Sequence, residues 1–159
     1  CSGGKRFGCS DWSGIYSRKK SYIIQSDFSY MISNDMFKEF SLPGLKQLCK
    51  ELDRTVYHLD GTGQLAHLED LLSLEELDGI QWICGENGGP PESWGDVYKK
   101  IEAAGKLMHI PYQSLDLIEK IVAPLDKPSL AACPCIYCDP RDYDEFMAKF
   151  NKLRKLKGA

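Results

Sequence analysis

His58 and Asp60 are the residues whose types and spacing best suit chemistry. They close the segment RTVYHLD, which is predicted to be a β-strand, and the polar turn GTG follows them. Side chains two positions apart on a strand lie on the same face, so the pair is predicted to lie together at the strand's carboxyl end. In parallel α/β folds the active site lies at that end. The pair is therefore a candidate site, and its simplest form is a hydrogen-bonded His–Asp pair that lines a pocket.

Gln25 and Asp27 lie on one face of an earlier strand, predicted over residues 21–28. Both side chains could contact a polar substrate. They could equally bond to neighbouring loops, because a buried polar group needs a hydrogen-bond partner. Asp27 is therefore a candidate catalytic residue, and Gln25 is a candidate ligand-binding residue.

Trp82 lies in another strand, predicted over residues 79–84. Its ring is expected either to pack in the core or to form a flat wall against a ring-shaped cofactor. Glu86 follows this strand and is a candidate acid. The glycine- and proline-rich loop that carries Glu86 and Asn87 is expected to lie on the same rim as His58, since such loops often carry function.

The sequence gives weaker evidence that the other two histidines are site residues. His67 falls on a helix predicted over residues 63–72 and is expected to lie on the surface. His109 falls in a strand predicted over residues 106–110 and could point inward as a site residue. Pro111 next to it indicates that the strand ends there.

Three of the seven cysteines cluster near the end of the chain, at Cys133, Cys135 and Cys138. Their C-x-C-x-x-C spacing resembles that of metal ligands, but the chain has no second C-x-x-C pair to complete a four-cysteine site. Free cysteines are also ordinary buried apolar residues, so both interpretations stay open. The overall placement is not that of a small secreted disulfide scaffold, and a reducing cytoplasm is predicted.

The hydrophobic pattern predicts five consecutive strand–helix units in one domain over residues 1–159. Alternating strands and helices predict a parallel sheet, as an open doubly wound sheet or as part of a (β/α)8 barrel. The segment GTGQLAHL lacks the third glycine of a dinucleotide-binding fingerprint. The strands are predicted over residues 21–28, 55–59, 79–84, 106–110 and 130–137. A helix predicted over residues 34–51 is expected to be capped by Asn34 and to kink or break at Pro43 and Gly44, and Ser114 is expected to cap a later helix.

Composition excludes several classes of protein. A net charge of −3 and a pI near 5.6 argue against general nucleic-acid binding. No apolar run approaches the roughly 18 residues that span a bilayer, and the start of the chain lacks the apolar segment of a secretory signal.

Several segments together resemble the carboxyl-terminal part of the uroporphyrinogen decarboxylase superfamily. The branch around trimethylamine corrinoid protein 2 is the most similar. The resemblance covers residues 12–150 and is most specific in the middle of the chain. It is carried by WSGIY, QSDFSYMISNDMFKEFSLPGLKQLCKELD, YHLDGTGQLAHL, LDGIQW and YKKIEAAGK.

The resemblance implies a (β/α)8 barrel, of which this chain would supply the later units, about five in number. A whole barrel usually needs about 250 residues, so a homodimer or a separate chain with the missing half is expected. The implied activity is corrinoid-linked methyl transfer from a small methylated compound, with the corrinoid held by a partner. Alternatives are a carboxy-lyase acting on a tetrapyrrole, or a non-catalytic corrinoid- or tetrapyrrole-binding module. On its own the chain is expected to be inactive.

The resemblance also implies a ligand set. In the methyltransferase branch a His-x-Cys pair follows one strand, and a cysteine near the chain's end completes a zinc site. The matching positions here are His58 and Asp60, with Cys135 as the expected third ligand and Cys133 as its alternative. The implied barrel mouth is lined by Asp27, His58, Asp60 and Trp82.

Overall fold

The computed structural model describes residues 7–111, 113–133 and 140–155. Its centre is a five-stranded parallel sheet in which spatial order follows chain order. A short antiparallel pair, β1 and β2, precedes it. The strands are β1 (Cys9–Ser10), β2 (Tyr16–Ser17), β3 (Ser21–Gln25), β4 (Arg54–Asp60), β5 (Gly79–Ile83), β6 (Leu107–Pro111) and β7 (Ser129–Cys133).

Helical segments connect the successive parallel strands. Short 3-10 turns cover Asp27–Met31, Thr62–His67, Pro91–Ser93 and Pro140–Asp142, and one π-helical turn covers Phe37–Ser41. The α-helices are α1 (Asn34–Met36), α2 (Leu42–Glu51), α3 (Leu68–Leu72), α4 (Gly95–Ala103), α5 (Leu115–Val122) and α6 (Tyr143–Lys155). None of these described helices is both long and apolar enough to cross a membrane.

The two faces of the sheet differ in character because side chains alternate along each strand. One face, here called the helix face, packs against α2 to α5 and forms the core. The opposite face, here called the open face, carries a row of polar side chains. The helix face presents Ile24, Tyr57, Leu59, Ile80, Trp82, Met108 and Ile110.

The segment containing β1 and β2 lies against β3 and the open face. Asp11 Oδ2 accepts a hydrogen bond of 2.8 Å from the Ile23 backbone N–H. The Asp11 carboxylate also accepts from the Ser13 backbone and hydroxyl, which orders the turn between the two short strands. A cavity of about 230 Å³ lies between this segment and the open face, lined in part by Val56 and Leu107.

The predicted fold class is confirmed at the level of an α/β domain whose parallel sheet is flanked by helices. The four strands predicted around residues 21, 55, 79 and 106 are present, with ends shifted by at most three residues. The fifth begins at Ser129 and is described as far as Cys133.

Two local predictions were wrong. Asp27 does not end the first strand, since the strand stops at Gln25 and Asp27 opens a 3-10 turn. A kink or a break was expected at Pro43 and Gly44, but the chain stays helical through both residues, with Pro43 in the first turn of α2. The irregularity instead precedes the proline, as the π-helical turn Phe37–Ser41.

Candidate functional site

Four polar residues form a row across neighbouring strands of the open face. The register pairs Gln25 with His58, His58 with Gln81, and Gln81 with His109. Each lies on a strand whose neighbouring positions turn apolar side chains to the helix face. Gln81 and His109 are 0% and 1% exposed, so the hydrogen bonds of their polar atoms are made within the protein.

Gln81 joins the two histidines through hydrogen bonds from both ends of its amide. Its Oε1 makes a close contact with His58 Nδ1. Its Nε2 lies 2.8 Å from His109 Nδ1. A carbonyl oxygen only accepts and an amide NH₂ only donates, so this orientation places a proton on His58 Nδ1 and a lone pair on His109 Nδ1.

Asp60 lies on the outer side of His58. Its Oδ2 is 3.7 Å from His58 Nε2, and the side chains are 50% and 14% exposed respectively. The predicted placement of the pair on one face at the strand's carboxyl end is confirmed. Because Nδ1 carries the imidazole proton, the Nε2 lone pair and the Asp60 carboxylate are two electron-pair donors that converge on one point. That arrangement favours a cation between them.

His109 is held neutral. The pKa of His109 is lowered to about 4, chiefly by burial and to a smaller extent by His58, against an opposing effect of the Asp11 carboxylate. His109 Nε2 is buried and has no hydrogen-bond partner among the described residues. With its Nδ1 accepting from Gln81, His109 offers a neutral N–H on Nε2.

Trp12 packs against His58, a contact that the sequence did not predict. The two ring centroids are 5.1 Å apart in an edge-to-face arrangement, and Trp12 is 47% exposed at the rim. Trp82 lies elsewhere: it is on the helix face, 4% exposed, with its ring 5.2 Å from that of Trp94. Of the two roles expected for Trp82, packing in the core is therefore confirmed. Lining the mouth beside His58 was wrong, because strand alternation turns the Trp82 side chain to the helix face.

The other candidate residues lie at the rim. Gln25 Nε2 donates to Asp27 Oδ2 at 3.4 Å, and both side chains are exposed. Glu86 is exposed in the turn after β5. The Gly61 N–H donates to the Ile83 carbonyl at 2.8 Å, which places the loops after β4 and β5 side by side. Glu86 thus shares a rim with His58, as the sequence predicted.

The predicted zinc ligand set is only partly described. Cys135 lies outside the described residues. Cys133 closes β7, paired with Pro111 of the strand that carries His109. Within residues 7–111, 113–133 and 140–155, no group of three or more His, Cys, Asp or Glu side chains could hold a metal ion. His58 and Asp60 supply two donors, and a third ligand from Cys135 stays a prediction.

His67 was expected on the surface, and this expectation was wrong. It is fully buried, stacked on Phe37 with ring centroids 4.2 Å apart. Its Nε2 lies 2.8 Å from the Ser29 carbonyl and its Nδ1 3.0 Å from Asn34 Oδ1. Both ring nitrogens thus lie within hydrogen-bond distance of protein oxygens, and His67 has a structural role on the helix side of the molecule.

Comparison of the chain with protein-family models, with curated proteins and with solved structures finds no match. The open face is therefore the part of the molecule that points to a function. The feature that carries most information there is the convergence of His58 Nε2 and Asp60 beside a buried polar row.

Proposed function

We propose that this chain forms the carboxyl-terminal part of a (β/α)8-type barrel of the uroporphyrinogen decarboxylase superfamily. Its activity is corrinoid-linked methyl transfer from a small methylated compound to a thiol. Two features of the fold support the barrel: the strands follow chain order, and the packed helices lie on one face. Both are expected of consecutive units of a barrel.

The observation that carries the proposed chemistry is the pair His58 and Asp60. Their facing atoms are 3.7 Å apart. Two ligands of one tetrahedral zinc ion, at bond lengths of about 2.05 Å, lie about 3.3 Å apart, so a small side-chain movement suffices. The hydrogen bond from His58 Nδ1 to Gln81 matches the outer-sphere bond that metal-binding histidines usually make. The donor set therefore fits zinc, with Cys135 as the proposed third ligand.

Zinc held there would act as a Lewis acid that lowers the pKa of an acceptor thiol. The chain's own residues would position the metal ligand and leave the site open to solvent. Gln81 holds the His58 ring in place, and Trp12 packs edge-to-face against that ring. The exposed Asp60 and Glu86 leave the rim open to solvent, which takes the proton that the thiol loses.

The proposal includes a partner and a compartment. A corrinoid-bearing protein would present the methyl group at the rim, and further strands would come from a second copy or another chain. A reducing cytoplasm is proposed as the setting. The cysteines whose state is described, Cys9, Cys49 and Cys84, are free thiols, which supports it.

Proton release on thiol binding tests the proposal without requiring the missing partner. The zinc-loaded chain is mixed with 2-mercaptoethanesulfonate at pH 7, and protons are counted with an indicator dye. Close to one proton per bound thiol is expected, because a free thiol with a pKa near 8.5 is mostly protonated at that pH.

Asp60→Asn and Glu86→Gln form a matched pair of variants. Both neutralise an exposed rim carboxylate, but only Asp60 faces His58. Asp60→Asn is expected to lower proton release at least several-fold, whereas Glu86→Gln leaves it unchanged. No proton release from the zinc-loaded wild-type chain, or equal losses in the two variants, would contradict the proposed function.

A further inference from the structure

Gln81 is a fully buried glutamine between two histidines, which is unusual in a strand otherwise made of apolar residues. Its amide has two possible orientations, and each dictates the proton positions on both rings. With Oε1 toward His58, that ring carries its proton on Nδ1 and offers a lone pair at Nε2. With the amide reversed, His58 would carry its proton on Nε2, pointed at Asp60.

Reversing the Gln81 amide would add no hydrogen bond between His58 and Asp60 at the rim. An Nε2–H of His58 would face Asp60 Oδ2 across 3.7 Å, beyond hydrogen-bond range. In the orientation of the structure, Gln81 Oε1 contacts His58 Nδ1, and Gln81 Nε2 lies 2.8 Å from His109 Nδ1. His109 therefore supplies the acceptor that the Gln81 NH₂ group requires.

We propose that Gln81, oriented by His109, is the positioning residue that fixes the His58 tautomer with its proton on Nδ1. His58 Nε2 is thereby kept as an electron-pair donor at the rim, ready for a cation or for a substrate proton. The use of that lone pair for zinc rests on the proposed function, but the tautomer does not. The hydrogen-bonded order runs from His109 through Gln81 to His58.

The test is the tautomer of each histidine, measured by two-bond ¹H–¹⁵N correlation spectra of the full chain. The sample is metal-free and at about pH 8, above the ordinary imidazole pKa of about 6.5. The wild type is expected to show His58 protonated on Nδ1 and His109 protonated on Nε2. The opposite pattern, with His58 on Nε2 and His109 on Nδ1, would overturn the proposal.

Two substitutions test whether Gln81 fixes the His58 tautomer or only fills space in the sheet. Gln81→Met removes both hydrogen bonds at similar volume and is expected to give a mixture of His58 tautomers. Gln81→Glu presents acceptors at both ends, so His58 keeps its proton on Nδ1 while His109 moves its proton from Nε2 to Nδ1. If Gln81→Met does not fold, the movement of the His109 proton from Nε2 to Nδ1 in Gln81→Glu tests the proposal by itself.

Gln64→Met is the matched control, because Gln64 is also buried but accepts from Tyr57 on the helix face. It should leave both tautomers unchanged, and His67 should keep its spectrum in every variant. An unmixed His58 in Gln81→Met, or His109 still on Nε2 in Gln81→Glu, would refute the positioning role. Zinc is absent throughout, so failure here is distinct from failure of the proposed function.

Discussion

His109 is a buried residue whose surroundings strongly change its acid–base behaviour. Burial lowers its pKa from 6.5 to about 4 in the folded chain. The unfolded chain therefore binds more protons than the folded chain between those two values, and stability must fall as the pH drops through that window. The stability that a neutral His109 provides is complete above about pH 6.5 and lost toward pH 4.

This linkage gives the first prediction. Lowering the pH from 7 to 4.5 should reduce the wild-type free energy of unfolding by roughly 1–3 kcal/mol through His109. His109→Gln, which does not titrate, should show a correspondingly smaller loss over the same range. Urea unfolding at the two pH values measures both. An identical pH dependence in the two proteins would show that His109 is not held neutral.

The sequence predicts part of the site and misses part, for physical reasons. Strand alternation alone places His58 and Asp60 together. The same rule places Gln81 on the face opposite Trp82, and a lone polar residue in an apolar strand is the signal that could have identified it. Trp12 gave no such signal, because its contact with His58 depends on where a loop folds back over the sheet.

Among the connecting elements, two glycines occupy opposite environments. Gly44 lies in α2, and a methyl group added there would meet nothing within 4 Å. Gly88 lies in the loop after β5, where an added Cβ would clash with the Cys84 carbonyl oxygen. The Gly88 carbonyl also accepts a 2.9 Å hydrogen bond from Trp94 Nε1.

The second prediction compares the same substitution at these two glycines. Gly44→Ala should stabilise the protein by about 0.5–1 kcal/mol, because alanine loses less backbone entropy in a helix. Gly88→Ala should destabilise it by about 1–3 kcal/mol, because backbone must shift to admit the methyl group. Thermal or urea unfolding of both variants checks the signs. A stabilised Gly88→Ala would mean that this loop is not held as described.

The sequence predicts which segments are helices more reliably than it predicts where those helices become π-helical or 3-10 turns. Ser114 was predicted to cap a helix, and its hydroxyl accepts from the Leu117 backbone at 3.2 Å. Asn34 was predicted as a cap, but Ser33 fulfils that role with a bond from Met36 N. The π-helical turn before Pro43 and the 3-10 turn through His67 depend on tertiary packing, which periodicity does not contain.

For the whole molecule, the described helices that contact the sheet pack on one face, and the open face carries the polar row. The segment after β3 also exposes several large apolar side chains. Exposed apolar patches beside a sheet edge mark sites of association. These side chains are Phe28, Tyr30, Met31, Met36 and Phe40.

The third prediction is therefore association. At micromolar concentration the chain should sediment as a dimer or larger, and Phe40→Ser with Met31→Ser should shift it toward the monomer. Leu48→Ser, at another exposed apolar position, is the control and should not. A well-behaved wild-type monomer would contradict the need for a second copy.

The central claim is that His58 and Asp60 form a metal-binding pair on the open face. Elemental analysis of zinc in the purified chain, after equilibration with the metal and removal of excess, tests it most directly. Close to one zinc per chain is expected for the wild type and for Glu86→Gln, with a loss of at least tenfold in His58→Ala. Equal zinc content in the wild type and in His58→Ala would contradict the claim and leave His58 and Asp60 as a metal-free polar pair.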